Sequence, residues 1–310
     1  MGLVRSDGNK LIALFDGDIL VYRAGFAAEK RQYSVRGIVG TFPNAKSARD
    51  AAAAKGIPQT HVTWERIAEP KENAFHNVDK IINSTIKKLH DQLNTVEHTF
   101  VIFLTGCTEQ PNFREENNHG YKANRDPKNK PTHYDEIRNY IRNKYPTVLT
   151  QGAETDDYLC QAAKDAPERL YPGDPNVVPV IVSIDKDLLS VPGLHYNFVK
   201  DEVVDVDVDM ADFNFFSQML QGDVADNVMG IKGYGPKKAE STLSPAYGDE
   251  FALCARAMSV YRSRISDEDW VARWNENAIM LYIWRSVPDI CPWLFSDESD
   301  ANAFIEEYYA

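Results

Sequence analysis

The chain has 310 residues, 43% of them hydrophobic, enough to bury a sizeable core in one large domain or two smaller ones. Its 34 Lys and Arg stand against 46 Asp and Glu, and the net charge of −12 argues against a protein that coats nucleic acid by bulk charge. No apolar run approaches the roughly 20 residues that cross a bilayer. The opening MGLVRSDGNK lacks the apolar stretch of a signal peptide. Cys107, Cys160, Cys254 and Cys291 are too scattered for a zinc site or a paired framework, so the expectation is a soluble intracellular protein with free thiols.

In chain order, residues 11–15 (LIALF) read as a buried strand that ends at Asp16-Gly17-Asp18. Residues 27–76 read as an insertion, with 33–41 and 60–67 pairing as a hairpin around an Ala-rich helix at 44–55. Val78, Ile82, Ile86, Leu89 and Leu93 step by three or four along one helical face, and Tyr134, Ile137 and Ile141 do the same. Strands are predicted at 100–104 (FVIFL), 147–150 and 177–184, the last starting in earnest after Pro179. Residues 155–166 read as a helix, 203–208 as a strand with one wet face, and the chain is mainly helical from about 209. Alternating strands and helices predict an α/β fold with a mostly parallel central sheet and helices on both faces, in a domain spanning 1–208. A helical domain is predicted over 209–310. In such sheets the site lies beyond the carboxyl ends of the strands, where Asp16, Gly106, Glu154 and Asp185 fall.

Four acidic groups mark those ends: Asp16, the trio Glu154, Asp156 and Asp157, the pair Asp185 and Asp187, and the pair Asp223 and Asp226. Singly each has an ordinary explanation as a turn residue, a helix N-terminal acid or a solvated loop. Together they describe hard oxygen ligands for divalent cations, which make such crowding of like charge tolerable. Asp205, Asp207 and Asp209 resemble a calcium loop, but Met210 and Phe216 stand where that loop needs Gly and Glu.

Two basic segments accompany the acids. Tyr121, Lys122, Arg125, Lys128 and Lys130 form a local basic strip suited to a phosphate, with Tyr121 available to stack on a base. Gly230, Lys232, Gly233, Gly235, Lys237 and Lys238 lie in GIKGYGPKK, where glycines permit close backbone approach and Pro236 opens a helix. That pattern reads as a helix–hairpin–helix clamp on a nucleic-acid backbone.

With these residues assembled, the sequence resembles the bacteriophage and bacterial 5′→3′ exonuclease/flap endonuclease family. The resemblance rests on LFDGD (14–18), YKANR (121–125), ETDD (154–157), SIDKD (183–187) and LQGDVADNVMGIKGYGPKKA (220–239), in that order. It implies a PIN-like/5′-nuclease sheet, a helix–three-turn–helix clamp and two Mg²⁺ (or Mn²⁺). One metal is implied at Asp16, Glu154, Asp156 and Asp157, the other at Asp185, Asp187, Asp223 and Asp226. Lys122 and Arg125, with Tyr121 beside them, correspond to the pair that contacts the phosphate, and Arg23 to a further substrate contact. A K⁺ at 230–235 and an arch over 107–133, mobile without DNA, also follow from the resemblance. So do a monomer acting on 5′ ends, nicks, flaps and RNA–DNA hybrids, a role in phage replication or recombination, and a host-cytoplasmic location. The sequence departs from the family at 105–107: many members carry an Asp there, and this chain has Thr105-Gly106-Cys107. That departure keeps open a structure-specific DNA-binding protein weakened in catalysis. A PIN-like ribonuclease shares clustered acids but usually lacks the glycine-rich clamp.

Overall fold

A computed structural model describes residues 9–106, 112–118, 120–126, 129–265, 269–285 and 289–309. The first half of these residues forms β1 (Asn9–Asp16), α1 (Gly17–Ala27), β2 (Glu29–Val35), α2 (Ala45–Ala54), β3 (Val62–Ala68), α3 (Lys71–Leu93), β4 (Thr95–Thr105), α4 (Phe113–Asn117), α5 (Tyr134–Lys144) and β5 (Thr147–Thr150). There follow α6 (Thr155–Leu170), β6 (Val177–Val182), β7 (Gly193–Asn197), β8 (Glu202–Val206), α7 (Val208–Gln221), β9 (Gly222–Asp223), β10 (Val228–Met229), α8 (Pro236–Leu243), α9 (Glu250–Arg264), α10 (Trp270–Leu281) and α11 (Glu298–Tyr308). None of the described helices is long and apolar enough to cross a membrane. The chain divides into two compact units, one of residues 1–19, 85–129 and 146–310, the other of residues 20–84 and 130–145.

The larger unit is built on a six-stranded sheet in the order β5-β4-β1-β6-β7-β8. All neighbours run parallel except β8, which is antiparallel to β7. The continuous apolar run of β1 suits the centre of a parallel sheet covered on both faces, and Leu11 through Phe15 are buried. Ile12, Leu14 and Ile181 from the sheet pack with Leu159, Cys160 and Ala166 of α6. Helices α7 to α11 have a core of their own around Phe215, Phe216, Tyr261 and Trp274. Cys160, Cys254 and Cys291 are free thiols. The mostly parallel sheet surrounded by helices is the architecture predicted from the alternating pattern.

Three boundaries fall elsewhere than the sequence suggests. Strand β6 includes Pro179, in register with Ile12 of β1. Pairing with β7 begins only at Val180, so at Pro179 one side of β6 has no partner strand and accommodates a residue that cannot donate. In the smaller unit, β2 occupies Glu29–Val35 rather than 33–41, because Gly37 takes a positive φ of 95° and turns the chain, leaving Tyr33–Phe42 as an isolated bridge. The division into units does not follow the expected break at 208/209, since α7 packs closely on the turn at 187–190 that follows β6. Helix α2, by contrast, starts where expected, with the Asn44 side chain accepting from the Ser47 N–H.

The end of β4 is tightly closed against the end of β5. A Cβ on Gly106 would overlap the Thr150 carbonyl oxygen, so no side chain, and no Asp, fits at 106 in this backbone. Gly106→Ala is expected to cost about 3 kcal/mol or more, the upper end of overpacking penalties where the obstacle is main chain. Urea unfolding read at the transition midpoint checks this, and a cost below about 1 kcal/mol would show that the strand ends can separate freely.

Candidate active site

The carboxyl ends of β1, β4 and β6 converge, and the acids predicted from the sequence lie there. Asp16, the last residue of β1, is buried and accepts from the Ile19 N–H at 3.1 Å and from the Ser183 hydroxyl at 2.8 Å. Ser183 in turn accepts from the Asp185 N–H at 3.0 Å, and Asp185 accepts from the Asp187 N–H at 3.0 Å. The run SIDKD therefore folds back on itself and links β6 to β1 by hydrogen bonds. Asp223 shapes the turn after α7 in the same way, accepting from the Ala225 N–H at 2.7 Å.

A cleft of about 280 Å³ in the larger unit is lined by Glu154, Asp156, Asp185, Asp187, Asp223 and Asp226. Lys122, Arg125 and Tyr121 line it too. The segment carrying these three is docked onto the 223–227 turn by main-chain and amide bonds. The Lys122 N–H donates to the Asp226 carbonyl, Asn124 donates to the Val224 carbonyl and Asn227 to the Gly120 carbonyl, all within 2.7–2.9 Å. Lys122 has a positive φ of 56°, an uncommon backbone state for a lysine, and its side chain forms an ion pair with Glu154. Its ammonium also lies 3.5 Å from Asp226, which pairs with Arg125 as well.

The electrostatics follow from this mixture. Burial and then Asp18 push Asp16 up to about 7, from an ordinary 3.8. Burial and then Asp185 push Asp187 up to about 8. Asp156 is raised by burial and by Asp16 and Asp185, and Asp185 is raised by burial and by Asp226 and Asp223. Glu154 moves the other way: burial would raise it, but Lys122 and Arg114 outweigh burial and hold it low. Lysine and arginine thus hold Glu154 low, while burial and neighbouring carboxylates raise Asp16, Asp156, Asp185 and Asp187.

All the cleft's acids are hard oxygen donors of the kind that suit a divalent cation. Among the described residues, no three His, Cys, Asp or Glu side chains already stand close enough to grip one ion. Two of the cleft's acids are ion-paired within the chain: Glu154 with Lys122, and Asp226 with Lys122 and Arg125.

Several sequence expectations are changed by the geometry. Asp157 is not brought into the cleft. It is fully buried, forms a bidentate pair with Arg114 at 2.7 and 2.8 Å, and accepts from the Glu154 and Trp284 N–H groups. Tyr121 is not free to stack on a base, because its ring is buried in the helical core and its hydroxyl lies 3.0 Å from Glu154 and 2.9 Å from Asp226. Arg23 and Lys130 belong to the smaller unit, and Lys128 and Cys107 lie outside the described residues. Of the expected arch, the described part includes α4, whose Arg114 is buried and also donates to the carbonyls of Met280 and Tyr282. Arg114, Ser183 and Asp18 were missed from the sequence. Asp18 accepts from the Thr105 N–H at 3.1 Å and the Thr155 hydroxyl at 3.0 Å, at the strand end where Gly106 sits.

The glycine-rich segment connects α7 to α8. The two-residue strands β9 and β10 pair antiparallel inside it, a feature the sequence did not suggest. Gly222, at a φ of 72°, and Gly230 cross so closely that a Cβ on either would overlap the other's backbone. Ile231, Ala239 and Leu243 anchor the segment in the helical core, leaving Lys232, Gly233, Gly235, Lys237 and Lys238 exposed. Pro236 is the first residue of α8, and the exposed Lys237 and Lys238 of its first turn offer charge to a phosphate, while the Lys238 and Ala239 N–H groups are bonded to the Gly235 carbonyl.

Two outcomes follow from the site itself. Arg114→Ala strands the Asp157 carboxylate in the interior, and a loss of about 3–5 kcal/mol is expected in urea unfolding; a loss under 1 kcal/mol would mean the pair is dispensable. For the raised acids, the folded protein keeps protons on Asp16 and Asp187 that an unfolded chain releases near pH 4. Stability without metal therefore falls as pH rises from about 4 through 8. Glu154, held low, acts in the opposite sense only below its ordinary 4.5, outside that window. In EDTA the melting temperature is expected to decline between pH 5.5 and 8.5, and Mg²⁺ to raise it more at pH 8 than at pH 6, where protons compete. A flat profile in EDTA would contradict this electrostatic picture.

No family model matches the chain. It is 32% identical over 204 residues to DNA polymerase I of Rhizobium leguminosarum and 30% identical over 185 residues to DNA polymerase I of Borreliella burgdorferi. These matches take in 59% and 55% of this chain, and the chain spans 19% of the length of each of those proteins. Among solved structures, it is similar to the T5 D15 protein co-crystallised with metal ions, with a TM-score of 0.50 and 14% identity over 96% of this chain and 98% of that one. A T5 5′-exonuclease with zinc bound is similar to the same extent, with a TM-score of 0.50 and 15% identity over 96% and 98% of the two chains. The resemblance read from the sequence motifs is borne out in the architecture: this chain has the fold of the phage 5′-exonucleases.

Proposed function

We propose that the protein is a divalent-metal-dependent nuclease that hydrolyses DNA phosphodiester bonds from 5′ ends, nicks or flaps. The observation that carries this reading is the single cleft in which six carboxylates meet Lys122 and Arg125 at the carboxyl ends of parallel strands. The matches to DNA polymerase I and the fold shared with T5 5′-exonuclease support it. Asp16, Glu154 and Asp156 are the oxygens suited to one Mg²⁺ or Mn²⁺, and Asp185, Asp187, Asp223 and Asp226 to a second. When bound, such a pair supplies Lewis acidity to an attacking water and to the departing oxygen.

The chain's own residues account for the rest. Lys122 and Arg125 now lie against Glu154 and Asp226. A scissile phosphate offers them a better anion, and their transfer to it frees both carboxylates for cations. Substrate would thereby complete the site, leaving Glu154 and Asp226 to hold divalent cations, which would supply charge stabilisation at the phosphate. Tyr121 bridges Glu154 and Asp226 and holds them in register. Asp157 and Arg114 fix the start of α6, and so the position of Glu154. The segment between α7 and α8, with Lys232, Lys237 and Lys238, would hold the duplex backbone, with a K⁺ at 230–235 bridging to it.

Incubation with 5′-flap and nicked duplexes tests this. Cleavage is expected with Mg²⁺ and none with EDTA. Asp187→Asn and Lys122→Ala are each expected to lower the rate about 10²-fold or more. Tight binding of flaps without cleavage in Mg²⁺ or Mn²⁺ would instead mark a structure-specific DNA-binding protein, and cleavage confined to RNA would mark a ribonuclease.

A further inference from the structure

The acidic character of the chain is not shared by its two units. Residues 20–84 and 130–145 carry 14 Lys and Arg against 8 Asp and Glu, a net of +6 in a chain of net −12. The smaller unit is thus a basic body within an acidic protein, and the motifs of the resemblance barely touch it.

Its most distinctive surface is one face of the β2–β3 hairpin. The register places Arg31 opposite Arg66 and Tyr33 opposite Trp64, so all four side chains share a face. Trp64 is 50% exposed, unusual for the largest apolar side chain, and the Arg31 guanidinium lies 4.7 Å over its ring. Arg66 lies 5.2 Å over Phe26, which is 39% exposed. No carboxylate stands within ion-pair distance of Arg31 among the described residues, whereas Arg66 pairs with Glu29 at 3.6 Å. The hairpin's acids leave this face positive: Glu65 is on the opposite face, and the Glu29 side chain is only 4% exposed. Two arginines directly opposed on a ladder repel each other, and a bound anion reverses that penalty. An exposed aromatic face beside a guanidinium with no carboxylate at ion-pair distance, as at Trp64 and Arg31, is the combination that binds a flexible polyanion with stackable rings. The opposite face, with Ser34 bonded to Thr63 and Gln32 facing Glu65, has no such chemistry.

We propose that the face of the β2–β3 hairpin bearing Arg31, Tyr33, Trp64 and Arg66 binds single-stranded DNA. A base stacks on Trp64, and Arg31 contacts a flanking phosphate. The proposal rests on the nuclease reading only in taking the polyanion to be DNA, and it names a surface for the unpaired strand of a substrate.

The test is equilibrium binding of a fluorescent oligothymidylate to the full chain in EDTA, where cleavage plays no part, so that failure of the nuclease reading and failure of this one are distinguishable. Trp64→Ala is expected to weaken binding about tenfold, Trp64→Phe to retain most of it, and Thr63→Ala, on the opposite face, to leave it unchanged. Arg31→Ala is expected to reduce the slope of log affinity against log salt by about 0.7, the loss of one phosphate contact on a single strand. Unchanged binding in Trp64→Ala would overturn the proposal. An equal loss in Thr63→Ala, or a fully duplex probe that binds more tightly and is equally sensitive to Trp64, would overturn it too.

Discussion

Everything in the larger unit depends on how buried negative charge is balanced. Asp16, Asp156, Asp185 and Asp187 are acids whose proton affinity is raised first by burial and then by neighbouring carboxylates. Three cationic side chains compensate at one side only. Arg114 is enclosed and fixed, with four hydrogen bonds to Asp157, Met280 and Tyr282 holding it in place. Lys122 and Arg125 are more accessible and come from a segment whose attachment is to the 223–227 turn. The first cation is walled in, whereas the other two reach solvent.

The scaffold explains why such crowding is held rather than relieved. Parallel β1, β4 and β6 fix the ends from which the acids project, and Ser183 ties the β1 end to the turn after β6 by hydrogen bonds. From the opposite side the helical core positions Asp223 and Asp226 through the crossing of Gly222 and Gly230. Asp157 joins the two: its oxygens reach Arg114 on α4 and the Trp284 N–H beyond α10. The last portion of the chain is therefore part of the architecture behind the cleft, although no motif marks it.

Much of this was legible in the sequence, for identifiable reasons. The sheet could be read because strands buried on both faces leave apolar runs that stop at Asp or Gly. The acids could be grouped because a parallel sheet places every strand end on one side. The role of Asp157 could not be read. It sits beside Asp156 in ETDD with the same chemistry, and only the turn of the helix sends one into the cleft and the other toward a buried arginine 43 residues away. Arg114 had no signal at all, since NFREENN reads as a polar loop. Tyr121 was assigned to stacking on composition, but its ring is needed by the helical core. The hairpin of the smaller unit was anticipated in kind but misplaced by several residues, because alternation in a two-stranded ribbon with two exposed faces hardly constrains register.

The departure at 105–107 also becomes a statement about packing. Gly106 is where a relative's Asp would be sought, and its Cα lies against the Thr150 carbonyl with no space for a side chain. The local polar group is instead Asp18, projecting from the first turn of α1 to the Thr105 N–H and the Thr155 hydroxyl. Its charge is felt by Asp16, for which it is the largest source of repulsion after burial. The acidity near the first strand end is thus supplied from the helix that follows β1 rather than from the end of β4. The spacing Asp16-Gly17-Asp18 permits this because Gly17 brings the helix start against β4: a Cβ there would overlap the Phe103 carbonyl. A strand end without an Asp and a DGD turn are two aspects of one local solution. The acidity at this strand end is therefore better counted by the carboxylates that surround it in space than by position along the chain.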